Sequence, residues 1–186
     1  MIYPIVAYGD PVLKKVGQNI DKNDTSIDLK KLVSDMFDTM YAANGVGLAA
    51  PQIGLSLRIF VIDADLMDEN IKGMKKVFIN PQILEEEGEK WAYEEGCLSI
   101  PDIREDVMRP PKIKIHYFDE DWNEYEETYE GLVARVIQHE YDHIEGVLFI
   151  EHVSGLKKSL LKSKLNNISK GKVKVDYRMR FPAAKR

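Results

Sequence analysis

Apolar residues recur every three or four positions through Leu29, Leu32, Val33, Met36, Phe37 and Met40, a spacing that predicts one amphipathic helix. Asp24-Thr25-Ser26 offers its amino-terminal cap, and Asn44-Gly45 its end, where a residue tolerant of the left-handed region can close the last turn. A second helical stripe joins Leu132, Val136, His139 and His143, flanked by Val133, Ile137 and Ile144. Between the two the period changes. Runs at 57–62, 77–84, 90–94, 113–118 and 125–129 predict strands, with 119–123 as a hairpin turn, and the apolar run 147–150 reads as another strand. A last helix is expected over 154–168, followed by a less regular end. Few helices interrupt many strands, so the expected fold is α+β, with mixed, mainly antiparallel sheets around the second helix and a carboxy-terminal helix and tail.

At 186 residues and 44% hydrophobic, the chain is long enough for a real core, and a single domain over 1–186 is expected. No basic segment precedes an apolar one at the amino terminus, no run approaches membrane-spanning length, and one cysteine suits a reducing compartment; together these predict a cytoplasmic protein without membrane contact. Charge is uneven. Residues 153–186 hold eleven Lys and Arg against one Asp, a net +10, so the remainder carries −15 within the total of −5. Such a tail fits a polyanionic partner; it equally fits a solvated helix and ragged terminus resting on an acidic body.

The second helix carries the chemistry. His139 and His143 stand four residues apart, so both imidazoles lie on one face and can reach one divalent ion, with Glu140 beside it as a base. The bland reading is a pair of satisfied core histidines, which would leave several ring nitrogens needing partners. A catalytic site wants a third protein ligand. The metzincin spacing holds as far as Gly146 and then places Phe149 where its third histidine belongs, while Glu151 and His152 read as solvated residues at a strand end. Cys97 is the remaining soft donor; a lone cysteine is also an ordinary small buried hydrophobe, although Gly96 and Pro101 around it suggest a turn. Arg135 falls off the apolar stripe and is expected at the surface. Gly45 to Gly54 reads either as a close-approach loop or as a helix end followed by an ordinary turn.

Taken in order, Gly45-Val46-Gly47-Leu48-Ala49-Ala50-Pro51-Gln52, Glu95-Gly96-Cys97-Leu98-Ser99 and Gln138-His139-Glu140-Tyr141-Asp142-His143 resemble the three signature segments of the peptide deformylases, and Pro4 to Leu13 is similar to that family's amino-terminal segment, so the likeness spans roughly residues 1–152. The resemblance implies that Cys97, His139 and His143 bind one divalent metal, with Fe(II) favoured and Zn, Ni or Co able to substitute. It implies that Glu140 moves the proton, that the Gln52 side chain and the Leu98 backbone N–H receive the oxyanion, and that Gly47, Glu95 and Arg104 lie near the substrate peptide. The implied reaction removes the formyl group from the formylmethionine of nascent polypeptides as formate, and the implied partner of the basic tail is the ribosome. Val46, Leu132 and Val136 are suitable apolar liners for a methionine pocket. Two other readings use the same helix: a zinc endopeptidase, and a non-catalytic metal-binding, ribosome-associated module.

Overall fold

The computed structural model describes residues 1–183. In chain order its elements are β1 (Ile5–Val6), α1 (Leu29–Ala42), β2 (Gly47–Ala49), β3 (Ile59–Asp63), β4 (Lys75–Glu87), β5 (Trp91–Cys97), β6 (Ile100–Arg109), β7 (Lys112–Phe118), β8 (Glu124–Glu130), α2 (Gly131–Ile144), α3 (Gly155–Ser169) and β9 (Met179–Arg180), with short 3₁₀ turns at Pro11–Lys14, Ala50–Ile53, Ala64–Leu66 and Phe149–His152. A five-stranded sheet runs in the order β2-β3-β4-β7-β8, antiparallel throughout. β5 and β6 form a separate antiparallel hairpin, and β1 pairs in parallel with β9. The α+β expectation holds, with α2 as the central helix.

The residues of β3 explain its place. Ile59 and Val61 point to one face of the sheet and join Leu32, Val33, Met36 and Met40 of α1. Phe60 and Ile62 point to the other and join Ala134, Val136, Ile137 and Ile144 of α2. A strand covered on both faces needs no polar alternation, and β3 is buried at every position. Each such aliphatic or aromatic side chain contributes roughly 1.5–3 kcal/mol on burial. Phe60 stacks on Phe78 at 4.8 Å between ring centres, which fixes the register of β3 on β4 under α2. A third cluster packs Ile103 and Val107 of β6 against Phe149, Leu161 and Leu165, so α3 covers the outer side of the hairpin.

Helix ends deliver the functional loops. At the end of α1, Asn44 takes φ 55°, and the Gly45 N–H reaches the Met40 carbonyl at 2.9 Å while the Asn44 N–H reaches Tyr41 at 3.0 Å. α2 ends the same way at Gly146, with φ 74°: the Val147 N–H bonds Asp142 O at 2.9 Å and the Gly146 N–H bonds His143 O at 3.2 Å. Both are six-to-one closures that satisfy the last carbonyls and turn the chain sharply.

Several details depart from the sequence reading. Asp28, not the 24–26 triplet, caps α1, accepting from the Lys31 N–H; Asp24 instead closes its own turn with the Ser26 N–H at 2.8 Å, a local bond that competes with capping. The run 147–150 is not a strand. Glu151 folds back to accept from the Leu148 N–H at 2.6 Å, and this winds Phe149–His152 into a 3₁₀ turn that buries Phe149 and Ile150. Arg135 is buried, at 2% side-chain exposure, because the β5–β6 hairpin covers the face of α2 that the apolar stripe leaves polar. β6 was not anticipated, since an inward Arg109 and an adjacent proline hide its alternation. The tail after α3 is not ragged as far as Arg180, because β9 pairs with β1. Among the described residues no helix is long and apolar enough to cross a membrane.

Candidate metal centre

α2 presents His139 and His143 one turn apart, with ring centres 5.2 Å from each other. The β5–β6 turn brings Cys97 to them. Its sulfur lies 3.4 Å from His143 Nε2, and one donor atom from each of the three residues falls within 4.8 Å of the others. A thiolate and an imidazole bound to one tetrahedral ion at the usual bond lengths stand ~3.5 Å apart, so this spacing fits a shared metal. Thiolate and imidazole together suit a borderline divalent cation. His143 is buried at 1% exposure, while His139 is half-buried and borders a cleft.

The orientation of His139 is set behind the site. Glu95 Oε1 accepts from His139 Nδ1 at 2.8 Å, while Arg109 and Arg135 bond the same carboxylate at 2.8–3.0 Å. Burial works against charge on Glu95, yet hydrogen bonds from His139 and Arg109 outweigh it and hold the carboxyl well below the usual range. An ionised Glu95 only accepts, so the proton sits on Nδ1 and Nε2 is left for a metal. Arg109 continues to Asp142 at 2.8 Å, and Asp142 accepts from His152 at 2.7 Å. Arg135 also donates to the Val107 and Trp91 carbonyls and lies over the Trp91 ring at 4.6 Å. Burial pushes His143 down to about 3, which keeps it neutral, as a ligand must be.

Glu140 is 4% exposed, and its Oε2 has no hydrogen-bond partner among the described residues. Burial raises its carboxyl to about 7. Gly47 explains how the carboxylate fits, since a Cβ there would lie 2.5 Å from Glu140 Oε1. Gln52 is 1% exposed and its orientation is determined: Oε1 accepts the Ala49 N–H at 3.0 Å, so its amide NH₂ faces Ser99 Oγ at 3.3 Å and Cys97 Sγ at 3.5 Å.

These groups border a cleft of roughly 540 Å³ whose walls include Val46, Gly47, Gln52, Leu98, Val136 and Glu140. Arg104 lies on its rim, largely exposed and paired with Glu94 at 2.9 Å. Glu95 borders the cleft as well, but all its acceptor capacity is turned to Arg109, Arg135 and His139 rather than toward a ligand. Leu132 is not among the walls. Sequence reading assigns no role to Arg109, Ser99 or Asp142, although Ser99 and Asp142 lie inside the signature segments that carry Cys97 and His143.

A buried carboxylate poised near neutrality beside a Cys/His/His cluster, on the wall of a cleft with mixed polar and apolar lining, is the arrangement of a metal-dependent hydrolase. The polypeptide deformylase family model matches residues 2–159. The peptide deformylase of Cytophaga hutchinsonii is 62% identical over 186 residues, covering all of both chains, and that of Christiangramia forsetii is 60% identical, covering 100% of this chain and 99% of its own. Among solved structures, a peptide deformylase from Legionella pneumophila superposes with a TM-score of 0.80 at 40% identity, covering 92% of this chain and 98% of its own. The Thermotoga maritima enzyme gives 0.75 at 44% identity, covering 83% and 99%. The chain belongs to the polypeptide deformylase family. It is a hydrolase that uses a single divalent metal to remove the formyl group from the amino-terminal formylmethionine of nascent polypeptides, releasing formate. The endopeptidase and non-catalytic readings give way to this one.

Proposed function

We propose that Cys97, His139 and His143 hold the ion, that it is natively ferrous iron, and that Glu140 is the proton carrier of the reaction. The observation that carries this reading is the convergence of three donor atoms within 4.8 Å beside a carboxylate oxygen that has no hydrogen-bond partner among the described residues. When bound, a divalent ion supplies Lewis acidity to the formyl carbonyl and brings the acidity of a water near neutrality. Glu140 takes the proton of the attacking water and passes it to the departing α-amine; a carboxyl near pH 7 suits both transfers. The Gln52 NH₂ and the Leu98 N–H receive the developing oxyanion, each such donor being worth about 3 kcal/mol in the transition state. Val46 and Val136 line the methionine side, the Gly47 backbone and Arg104 contact the peptide, and Glu95 orients His139.

A thiolate with two imidazoles accommodates Fe(II), Zn(II), Ni(II) and Co(II), and the family resemblance favours iron among them. Anaerobic purification followed by metal analysis, with turnover of formyl-Met-Ala-Ser by each reconstituted form, tests the assignment. Zinc as the metal bound in vivo would overturn the choice of iron, and full formate release by Glu140→Gln would overturn the role of Glu140.

We further propose that residues 1–186 act as one catalytic domain in the cytoplasm and that the basic segment 153–186, α3 with the tail after it, docks on the ribosome. Lys158, Lys162 and Lys164 of α3 are exposed, as are Leu156 and Leu160, and the lysines give the helix a basic surface suited to a polyanionic partner. Ribosome cosedimentation that survives Lys158→Glu combined with Lys162→Glu rejects the docking.

A further inference from the structure

The turn that carries Cys97 and Leu98 is poorly held by its own hairpin. The β5–β6 register shifts between Glu95 and Cys97, and beyond the shift only Cys97 and Ile100 pair. Two distant segments fasten it instead. The Tyr8 N–H donates to Ser99 O at 2.9 Å, and the Tyr177 hydroxyl donates to Leu98 O at 2.8 Å. Tyr177 stands 79 positions along the chain from Leu98 and lies beyond residue 159, where the family model match ends.

Tyr177 is itself fixed from both sides. It lies two residues before β9, with Arg178 between, and the pairing of β9 with β1 is closed by Ile5 N–H to Arg178 O at 2.8 Å and Ala7 N–H to Arg180 O at 2.9 Å. Its ring packs with Leu98 and Met179 against the core beneath α1. Burial and neighbouring negative charge push the hydroxyl up, so it remains a neutral donor at any working pH. The segment after α3 is therefore a strap that runs from the last helix to the catalytic turn.

We infer that Tyr177 is a positioning residue for deformylation: its hydrogen bond pins one peptide plane of Leu98, the residue whose other plane carries the oxyanion N–H. This rests on the assignment of the Leu98 N–H given under Proposed function. A donor must stand within a few tenths of an ångström of the developing charge, so a turn free to rock about Leu98 loses transition-state binding before it loses substrate binding.

Tyr177→Phe keeps the ring and its packing and removes only the donor. In the metal-loaded enzyme it should lower kcat on formyl-Met-Ala-Ser by about five- to tenfold with KM unchanged. In zinc-loaded protein it should displace the amide resonances of Leu98 and Ser99. Placing 3-fluorotyrosine at 177, which retains ring and hydroxyl, should restore kcat. An unchanged kcat in Tyr177→Phe, a rise in KM alone, or a fall in kcat that the fluorinated residue does not restore overturns the positioning role. Gln52→Ala separates the two levels: if it too keeps full kcat, the oxyanion assignment itself fails and this inference falls with it. If Gln52→Ala loses kcat while Tyr177→Phe keeps it, only the strap is refuted.

Discussion

Glu95 Oε1 lies 2.8 Å from Nδ1 of His139, and through that bond a buried ionic network reaches one member of the Cys/His/His cluster. The carboxylate is 5% exposed and is shared by two guanidinium groups that are themselves 4% and 2% exposed. Charges so far from water are tolerated only as a set, because each neutralises and hydrogen-bonds the others.

Removing one member should therefore be costly. Glu95→Ala leaves Arg109 and Arg135 without their shared counter-ion, and a loss of about 3–5 kcal/mol is expected by chemical denaturation. Glu95→Gln keeps the shape but weakens the hold on His139, and metal affinity should fall about 10–100-fold in a competition titration with a chelator. A metal affinity equal to that of the wild type would show that Glu95 does not orient the ligand.

Glu140→Gln should fold and retain metal, since Gln is isosteric and Glu140 is not among the three donors. Formate release should drop by about 10²–10⁴, the usual worth of a positioned acid–base group. Metal analysis of the variant alongside its turnover distinguishes lost chemistry from lost metal.

The same substitution yields a stability prediction in metal-free protein. The folded Glu140 carboxyl, at about 7, lies above its ordinary 4.5, so between those values the native state binds more protons than the unfolded chain. The stability that Glu140 contributes relative to Gln is full below pH 4.5 and is lost as pH rises through 7, by at most about 3 kcal/mol. Melting curves of chelated wild type and Glu140→Gln at pH 5 and pH 8 should diverge in favour of Gln at the higher pH; parallel curves would sink the claim that burial raises this carboxyl.

Gly47→Ala probes the fit between loop and base. A Cβ placed 2.5 Å from Glu140 Oε1 must push the carboxylate aside, and a displacement of about 1 Å in a catalytic group can cost on the order of 100-fold in rate. The variant should keep its metal and lose kcat. Activity within twofold of wild type would mean that Glu140 can be relocated without loss.

The sequence by itself determined the elements and the chemistry that lie within one local period. Residues four apart on α2 share a face whatever surrounds the helix, so His139, Glu140 and His143 were legible as a metal-and-base unit, and the apolar spacing of α1 placed the loop that carries Gly47 and Gln52. Motif order then brought in Cys97. What only the tertiary structure decided are the contacts that cross between elements. Arg135 reads as a surface residue because its position departs from the apolar stripe of α2, and no strand is read over β6, where the inward Arg109 breaks the alternation. Both are inside because Glu95, on a strand 40 residues from Arg135, supplies the opposite charge. Tyr177 shows the same limit at the far end of the chain. Periodicity reports which side of a helix or strand is buried, whereas the partner that makes a buried charge or hydroxyl stable is chosen by how the elements pack.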